Sequence, residues 1–159
     1  MKPITFFVPG NPKALKRHRT FRTKSGINVN VDPSAGDKAD FLAKAMLYRP
    51  AEPLDGPLSI VLVCVFSRPK GHFGTGRNAG VLKESAGFWY PSTPDWDNVG
   101  KFVGDAFNGI FWRDDRLIVH PLMYEIYGPV PGIGVIVREP SFSDECNAKA
   151  WLESAMGKD

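Results

Sequence analysis

The stretch PDWDNVGKFVGDAFNGIFWRDD, residues 94–115, decides the interpretation of this chain. Its apolar residues recur at the spacing of a helix from about residue 98 to about residue 108, and Asn108-Gly109 is a typical helix stop. One acidic pair precedes that helix and another follows it. A short helix would return both pairs to one region, where carboxylates repel each other unless a cation lies between them. The stretch therefore predicts a divalent-metal site, whose candidate residues are Asp95, Asp97, Lys101, Asp105, Asp114 and Asp115.

The spacing of Asp95 and Asp97 distinguishes two conformations. On a helix, residues two apart point in nearly opposite directions, whereas on an extended segment they share a side. Pro94 disfavours helix at Thr93, so we expect the Asp-x-Asp pair to project from an extended lead-in. The alternative is that Asp97 is only the N-cap of the following helix.

The acidic pair after the helix leaves a similar choice. Neighbouring residues on a strand face opposite sides, so only one of Asp114 and Asp115 is expected to reach the site of Asp95 and Asp97. The alternative is a polar turn that merely precedes the next strand.

Lys101 lies one helical turn past Asp97. It is either a cation directed at a phosphate or at the attacking water, or one half of a surface ion pair with Asp97. Asp105, a further turn along, would orient Lys101 or act as an outer carboxylate. An all-oxygen ligand set favours Mg²⁺, with Mn²⁺ as a possible substitute, over zinc.

Outward from this stretch, the pattern predicts both strands and helices. LSIVLVCVF, residues 58–66, is almost continuously apolar, which predicts a central strand covered on both faces. Pro121 marks a strand at 116–127 as an edge or bulged strand. A helix is predicted at 35–48. Its apolar face would consist of Ala39, Leu42, Ala43, Met46 and Leu47. The remaining predicted elements are strands at 4–8, 27–31 (half-buried) and 132–137, and a helix at 143–155 within a C-terminal helix or frayed tail, 140–159.

The composition limits the class of protein. At 159 residues with 43% apolar side chains, the chain is expected to form one domain with an α/β or α+β core. No apolar run approaches the ~20 residues of a membrane span, and the N-terminus lacks a secretory pattern. Two cysteines, Cys64 and Cys146, make no disulfide framework or zinc site, which suits a reducing, cytoplasmic setting. Cys64 lies in a strand pattern and is expected to be a buried thiol.

The charge distribution indicates a polyanionic partner. The net charge is only +3, but residues 1–31 contain no acid. A basic N-terminal loop, 10–26, and a long flexible loop, 67–93, hold the candidate DNA-binding residues. These are Lys13, Lys16, Arg17, Arg19, Arg22, Arg77 and Lys83. The aromatic residues of the long loop would stack on unpaired bases or pack on the core; they are Phe73, Phe88, Trp89 and Tyr90. Taken alone, a basic run is more often a solvated loop that keeps a protein soluble; its combination with the carboxylates favours nucleic acid.

In these residues the chain resembles the RusA-like Holliday junction resolvases, endodeoxyribonucleases of phages and prophages. The resemblance is carried by PDWDN…K…DAFNGIFWRDD, continues through RLIV, and more weakly includes FFVPGNPKALKRHR. It implies an α+β fold over residues 1–159, with a mixed β-sheet packed against two to three helices. It also implies a homodimer that binds four-way DNA junctions in recombination and repair and cuts them symmetrically with Mg²⁺. By position, Asp95, Asp97 and Asp115 would be metal ligands and Lys101 the catalytic lysine, with Asp105 and Asp114 in less defined acidic positions.

The sequence departs from the family pattern at two places. Pro94 stands where some members have a basic residue, and the loop at 67–93 is longer than in compact members. Two other functions would use the same residues. One is a different metal-dependent nuclease or phosphohydrolase, acting on flaps, single-stranded DNA or nucleotides. The other is a catalytically silent DNA-binding module that would use the basic residues alone.

Overall fold

A mixed four-stranded sheet lies at the centre of the computed structural model, which describes residues 1–156. In chain order the strands are β1 (Ile4–Pro9), β2 (Arg19–Arg22), β3 (Asn28–Val31), β4 (Leu58–Ser67), β5 (Ile118–Gly128) and β6 (Gly132–Arg138). The sheet order is β1-β6-β4-β5, in which β4 and β5 run parallel and the other neighbours antiparallel. β5 is thus an edge strand of this sheet, as Pro121 predicts.

Within residues 1–156, three α-helices complete the predicted α+β fold: α1 (Ala35–Ala45), α2 (Trp96–Phe107) and α3 (Phe142–Ala155). The apolar stripe predicted for α2 is confirmed, because it is buried in one core with the inward side chains of β4. That stripe consists of Val99, Phe102, Val103, Ala106 and Phe107. The helix ends where predicted, with Asn108 as its C-cap and Gly109 at φ +74°, a conformation that favours glycine.

Two predicted faces are wrong. α1 buries Phe41 and Ala45, while Leu47 is 90% exposed within a 3₁₀ turn that continues the helix. Of the predicted stripe, Leu42 packs against the core, but the bulk of Phe41 rotates the buried face away from Ala39, Ala43 and Leu47. β4 buries Ile60, Leu62, Cys64 and Phe66, but its alternate valines are only half-buried, so the helices cover one face of the sheet rather than both.

The basic N-terminal loop contains a strand that the sequence pattern did not predict. β2 pairs antiparallel with β3, from Arg19↔Val31 to Arg22↔Asn28. Gly26, at φ +83°, lies in the turn between them. The two strands are largely exposed, so the half-buried strand predicted at 27–31 is instead one side of a solvated hairpin.

The long loop at 67–93 is attached to the free edge of β5. The amide of Tyr90 donates to the carbonyl of Glu125 at 3.0 Å, and the amide of Tyr127 donates to the carbonyl of Phe88 at 2.8 Å. The ring of Tyr90 stacks on Phe66 with 3.7 Å between centroids. Core packing therefore accounts for Tyr90, whereas Phe88 and Trp89 remain more than half exposed.

The C-terminal helix is held by polar contacts rather than by burial. Ser141 and Asp144 form a capping box at its start, and Arg138 donates to both oxygens of Asp144 at 2.6 and 3.2 Å. The last part of the predicted tail, residues 157–159, lies outside the described residues. As predicted, Cys64 is a buried free thiol. No helix within residues 1–156 has the length and apolarity to cross a membrane.

Candidate active site

One side of α2 faces an open cavity of about 680 Å³ between the helix and β5. The residues of α2 at this cavity are Trp96, Asp97, Gly100, Lys101 and Gly104. Asp115 borders it from the chain just before β5, and Glu125 from β5 itself. The first turn of α2 and the segment that follows the helix therefore each contribute a carboxylate to one cavity, on one side of the sheet.

Asp95 and Asp97 lie at the N-terminal end of α2 in different conformations. Asp95 is the N-cap, with extended backbone at φ −70° and ψ 144°, but its side chain makes no capping hydrogen bond. Asp97 is in the first helical turn. The expectation that both project from an extended lead-in is therefore wrong for Asp97, and so is the alternative that Asp97 is the N-cap. The helix dipole stabilises negative charge at both positions.

Lys101 forms the predicted ion pair with Asp97, its Nζ lying 3.0 Å from Oδ2 across one helical turn. This hydrogen bond from Lys101 is the main cause that lowers the pKa of the Asp97 carboxyl below its ordinary value. Both side chains are solvent-accessible, at 61% for Lys101 and 39% for Asp97. Asp97 is therefore ionised at neutral pH, and a lysine ammonium lies beside it at the cavity.

The two acidic residues after α2, Asp114 and Asp115, have different environments. Asp114 caps a 3₁₀ turn, Asp115–Leu117, by accepting a hydrogen bond from the amide of Arg116 at 3.0 Å. Asp115 borders the cavity, and a Cβ atom at Gly104 would lie 4.0 Å from its Oδ2. One of the two carboxylates thus faces the site and the other stabilises the turn.

Asp105 lies elsewhere on α2. Its carboxylate forms an ion pair with Lys38 of α1 at 3.4 Å, and Lys38 also contacts Asp32 at 2.7 Å. The observed partner of Asp105 is thus a lysine of α1 rather than Lys101. These ion pairs connect α1 to α2, and Lys101 is paired with Asp97 instead of Asp105.

The basic N-terminal loop crosses the beginning of α2. The amide of Leu15 donates to the carbonyl of Asn98 at 3.0 Å. Lys16, Arg17 and His18 border a second cavity of about 450 Å³ together with Asp95, Asp97 and Lys101. Cationic side chains therefore lie directly beside the acidic residues.

The other predicted DNA-binding residues are distributed over three places. Lys13 lies 3.8 Å from Asp37 of α1, which also contacts Lys16 at 3.2 Å. Arg19 and Arg22 lie on the exposed hairpin. Arg77 and Lys83 lie in the long loop, where the ammonium of Lys83 donates to the carbonyl of Gly71 at 2.8 Å.

Glu125 is a residue at the cavity that sequence reasoning missed. Its register partner on β4 is the buried Cys64, so its side chain points to the helix-covered side of the sheet. Partial burial, and secondarily the charge of Asp95, raise the pKa of Glu125 above its ordinary value. Burial, with a contribution from Glu125, raises the pKa of Cys64 to about 12. The available signal was alternation along β5, where Pro121, Met123 and Glu125 share one side.

The donor atoms suit a hard divalent cation, because the carboxylates offer oxygen ligands only. Oε1 of Glu125 is buried and has no hydrogen-bond partner among residues 1–156, as expected of an oxygen that awaits a cation or a proton. Among the same residues, no three histidine, cysteine or acidic side chains stand close enough together to hold an ion. Binding of one ion by several of them therefore requires side-chain rotation.

Comparison with known proteins identifies two similarities. Residues 9–138 match the profile of a protein family described as Endodeoxyribonuclease RusA. The chain is also 31% identical over 146 residues to the uncharacterized protein YqaN of Bacillus subtilis (strain 168), an alignment that covers 89% of this chain and 99% of YqaN. The matched family segment includes every acidic residue that borders the two cavities.

Proposed function

This chain belongs to the endodeoxyribonuclease RusA family, and from that membership and the acidic cavity we propose that it is a Mg²⁺-dependent endodeoxyribonuclease that resolves four-way DNA junctions. The observation that carries the proposal is the placement of Asp97, Lys101 and Asp115 around one cavity at α2. A basic loop beside the same residues suits a polyanionic substrate.

Asp95, Asp97 and Asp115 are the residues that would hold the metal. Asp95 has a carboxylate that is free of the helix cap, and Asp115 borders the cavity next to Gly104 of α2. When bound, Mg²⁺ would supply a nucleophile by lowering the pKa of water and would stabilise negative charge on the leaving oxygen. Hydrolysis of one phosphodiester bond then yields a phosphate end and a hydroxyl end.

Lys101 would stabilise the charge that develops on the phosphate. Its ammonium lies 3.0 Å from Asp97 and is well exposed to the cavity, so it can reach a phosphate oxygen without leaving α2. Positively charged groups that are positioned before the reaction lower the barrier because they need no reorganisation. Asp97 holds the ammonium in place until the substrate arrives.

Lys16 and Arg17 would bind the DNA backbone next to the scissile phosphate, because they share the second cavity with Asp95 and Asp97. Arg19 and Arg22, on the exposed hairpin, would extend this contact along the DNA. Trp89 and Trp96, both more than half exposed at the mouth of the larger cavity, suit stacking on bases that a junction leaves unpaired.

A homodimer would allow the two cuts that resolution of a junction requires. The sheet face that the helices leave uncovered is apolar, with Phe7, Val61, Val63 and Ile136 exposed or half-buried. A second copy of the chain would cover such a surface. A two-fold dimer with one site per subunit would match the approximate symmetry of a four-way junction.

Incubation with a synthetic mobile four-way junction, with and without Mg²⁺, tests the proposal. Paired, symmetric cuts that require Mg²⁺ and exceed cleavage of duplex, flap and single-stranded DNA are expected. Faster cleavage of a flap or a single strand would instead identify another metal-dependent nuclease. Binding to DNA without any Mg²⁺-dependent cleavage would identify a silent binding module. Light scattering during size-exclusion chromatography tests the dimer separately.

A further inference from the structure

Glu125 is positioned to act together with the carboxylates of α2. It borders the same cavity as Asp97 and Asp115, and its strand, β5, forms the wall opposite the helix. The N-terminal end of α2 is close enough for the charge of Asp95 to act on Glu125. Three elements of the fold therefore direct carboxylates at one region: the start of α2, the turn before β5, and β5 itself.

One oxygen of the partly buried Glu125 carboxylate is left unsatisfied by its surroundings. Oε1 is buried from solvent and has no hydrogen-bond donor among residues 1–156. Its register partner on β4 is Cys64, which is fully buried and whose thiol is a weak donor. A proton on Glu125 would remove its charge, but it would not satisfy Asp95. A divalent cation would neutralise both carboxylates at once.

We propose that Glu125 is an additional ligand of the divalent cation, binding it from β5 opposite the aspartates of α2. The inference rests on the proposed function only for the presence of that cation. With this assignment, Glu125 has a role in metal binding and not only in packing or solvation of β5. This role also explains why a glutamate lies on the helix-covered side of β5, between Met123 and Tyr127, with no partner for its Oε1 in the described part of the chain.

Isothermal titration of the full chain with Mn²⁺, in the absence of DNA, tests the assignment. We expect Glu125→Gln to weaken Mn²⁺ binding by about tenfold or more. Without metal, the same variant should melt at the same or a higher temperature than the wild type, because it removes a charge near Asp95. Glu125→Asp, which keeps the carboxylate on a shorter side chain, should recover part of the affinity.

Glu52→Gln is the matched control, since Glu52 is an exposed glutamate outside both cavities. It should bind Mn²⁺ as the wild type does. Tb³⁺ luminescence, sensitised by Trp89 and Trp96 at the cavity, gives a second measurement that locates the ion, and it should weaken in Glu125→Gln.

Several outcomes would overturn the assignment. They are wild-type Mn²⁺ affinity in Glu125→Gln, equal losses in Glu125→Gln and Glu52→Gln, and a wild-type protein that binds no Mn²⁺. The junction assay tests the proposed function independently of Glu125. If the wild type cleaves junctions with Mg²⁺ but Glu125→Gln binds Mn²⁺ as the wild type does, Glu125 is not a ligand and the proposed function stands. Glu125-dependent Mn²⁺ binding without junction cleavage would support the ligand and count against the proposed substrate.

Discussion

The carboxylate of Asp115 lies over Gly104 of α2, where a Cβ atom would stand 4.0 Å from its Oδ2. Gly100, one turn earlier, also faces the cavity and would meet nothing within 4 Å. Glycine inside a helix is less stable than alanine by roughly 0.5–1 kcal/mol. The absence of side chains at these two positions leaves room beside the carboxylates, which suits a site that must admit a bulky substrate.

Gly104→Leu should block the cavity while the fold is retained, because its side chain would enter open space between α2 and Asp115. We expect cleavage of a four-way junction to fall by about 10²-fold, the scale expected when reacting groups are misplaced. Gly104→Ala is the control: its methyl group makes ordinary contact with Asp115, and its unfolding free energy should rise by about 0.5–1 kcal/mol. Full activity in Gly104→Leu would show that the cavity is not the substrate site.

Asp95→Asn and Asp97→Asn should each abolish cleavage and preserve DNA binding, since each removes a proposed metal ligand but adds no repulsion toward phosphate. A loss of about 4 kcal/mol of transition-state stabilisation corresponds to roughly a thousandfold lower rate. Single-turnover cleavage and gel-shift titration measure the two effects. Asp40→Asn, on the exposed side of α1, should cleave normally. If either variant cleaves the junction at half the wild-type rate, that aspartate is not a metal ligand.

Lys101→Met should slow cleavage by about 10²- to 10³-fold at saturating substrate, because it removes a positive charge from the transition state. Its effect on the free energy of unfolding should be small, since the ion pair with Asp97 is exposed. Lys149→Met is the control, because Lys149 forms a similar exposed ion pair with Glu145 on α3, away from the cavity. Equal rates in Lys101→Met and Lys149→Met would contradict a catalytic role for Lys101.

Lys16→Gln and Arg17→Gln should weaken DNA binding and reduce its dependence on salt. Each phosphate contact that is lost lowers the slope of log affinity against log salt concentration by about 1. Binding isotherms at several salt concentrations give this slope for each variant. An unchanged slope in the double variant would show that the loop beside α2 does not contact the DNA.

Acidification should loosen α3. The hydrogen bond from Arg138, and then those from Ser141, hold the pKa of Asp144 well below its ordinary value of 3.8. Because the folded-state pKa is depressed, this contribution to stability is complete above 3.8 and is lost as the pH falls below it. Hydrogen exchange of the α3 amides should therefore accelerate as the pH falls below 3.8, relative to the intrinsic rate.

Asp144→Asn should give weaker protection of α3 at neutral pH and a smaller change on acidification. If the α3 amides of the variant are as well protected from hydrogen exchange at pH 7 as those of the wild type, other contacts hold this helix.

The central part of the fold was predictable because its signals are local and mutually consistent. In α2, the apolar stripe, the stop at Asn108-Gly109 and the flanking acids all agree, and the structure buries that stripe. β4 and β6 also lie where their apolar patterns predict. In contrast, α1 has an aliphatic stripe that includes Leu42 and Leu47 on one side and Phe41 on another, and only packing decides between the two sides.

The start of α2 was misplaced through a local choice of cap residue, whereas the other features that sequence reasoning missed depend on strand pairing between separate segments of the chain. α2 begins at Trp96 because Asp95 takes the cap position, which brings Asp97 into the helix. β2 is a strand only because β3 pairs with it. Glu125 is directed into the cavity by its pairing with Cys64, a partner 61 positions away by the numbering of the two residues. No short sequence window contains that relationship.

The attachment of the long loop to β5 has a consequence for protein engineering. The loop leaves the end of β4 and is fixed again where Phe88 and Tyr90 join Tyr127 and Glu125 through main-chain hydrogen bonds. Between these points the loop folds back on itself, because the amides of Gly74 and Lys83 donate to the carbonyls of Val81 and His72. A loop grafted between Arg68 and Gly87 would therefore need a matching internal pairing, or the edge of β5 would lose the segment that covers it.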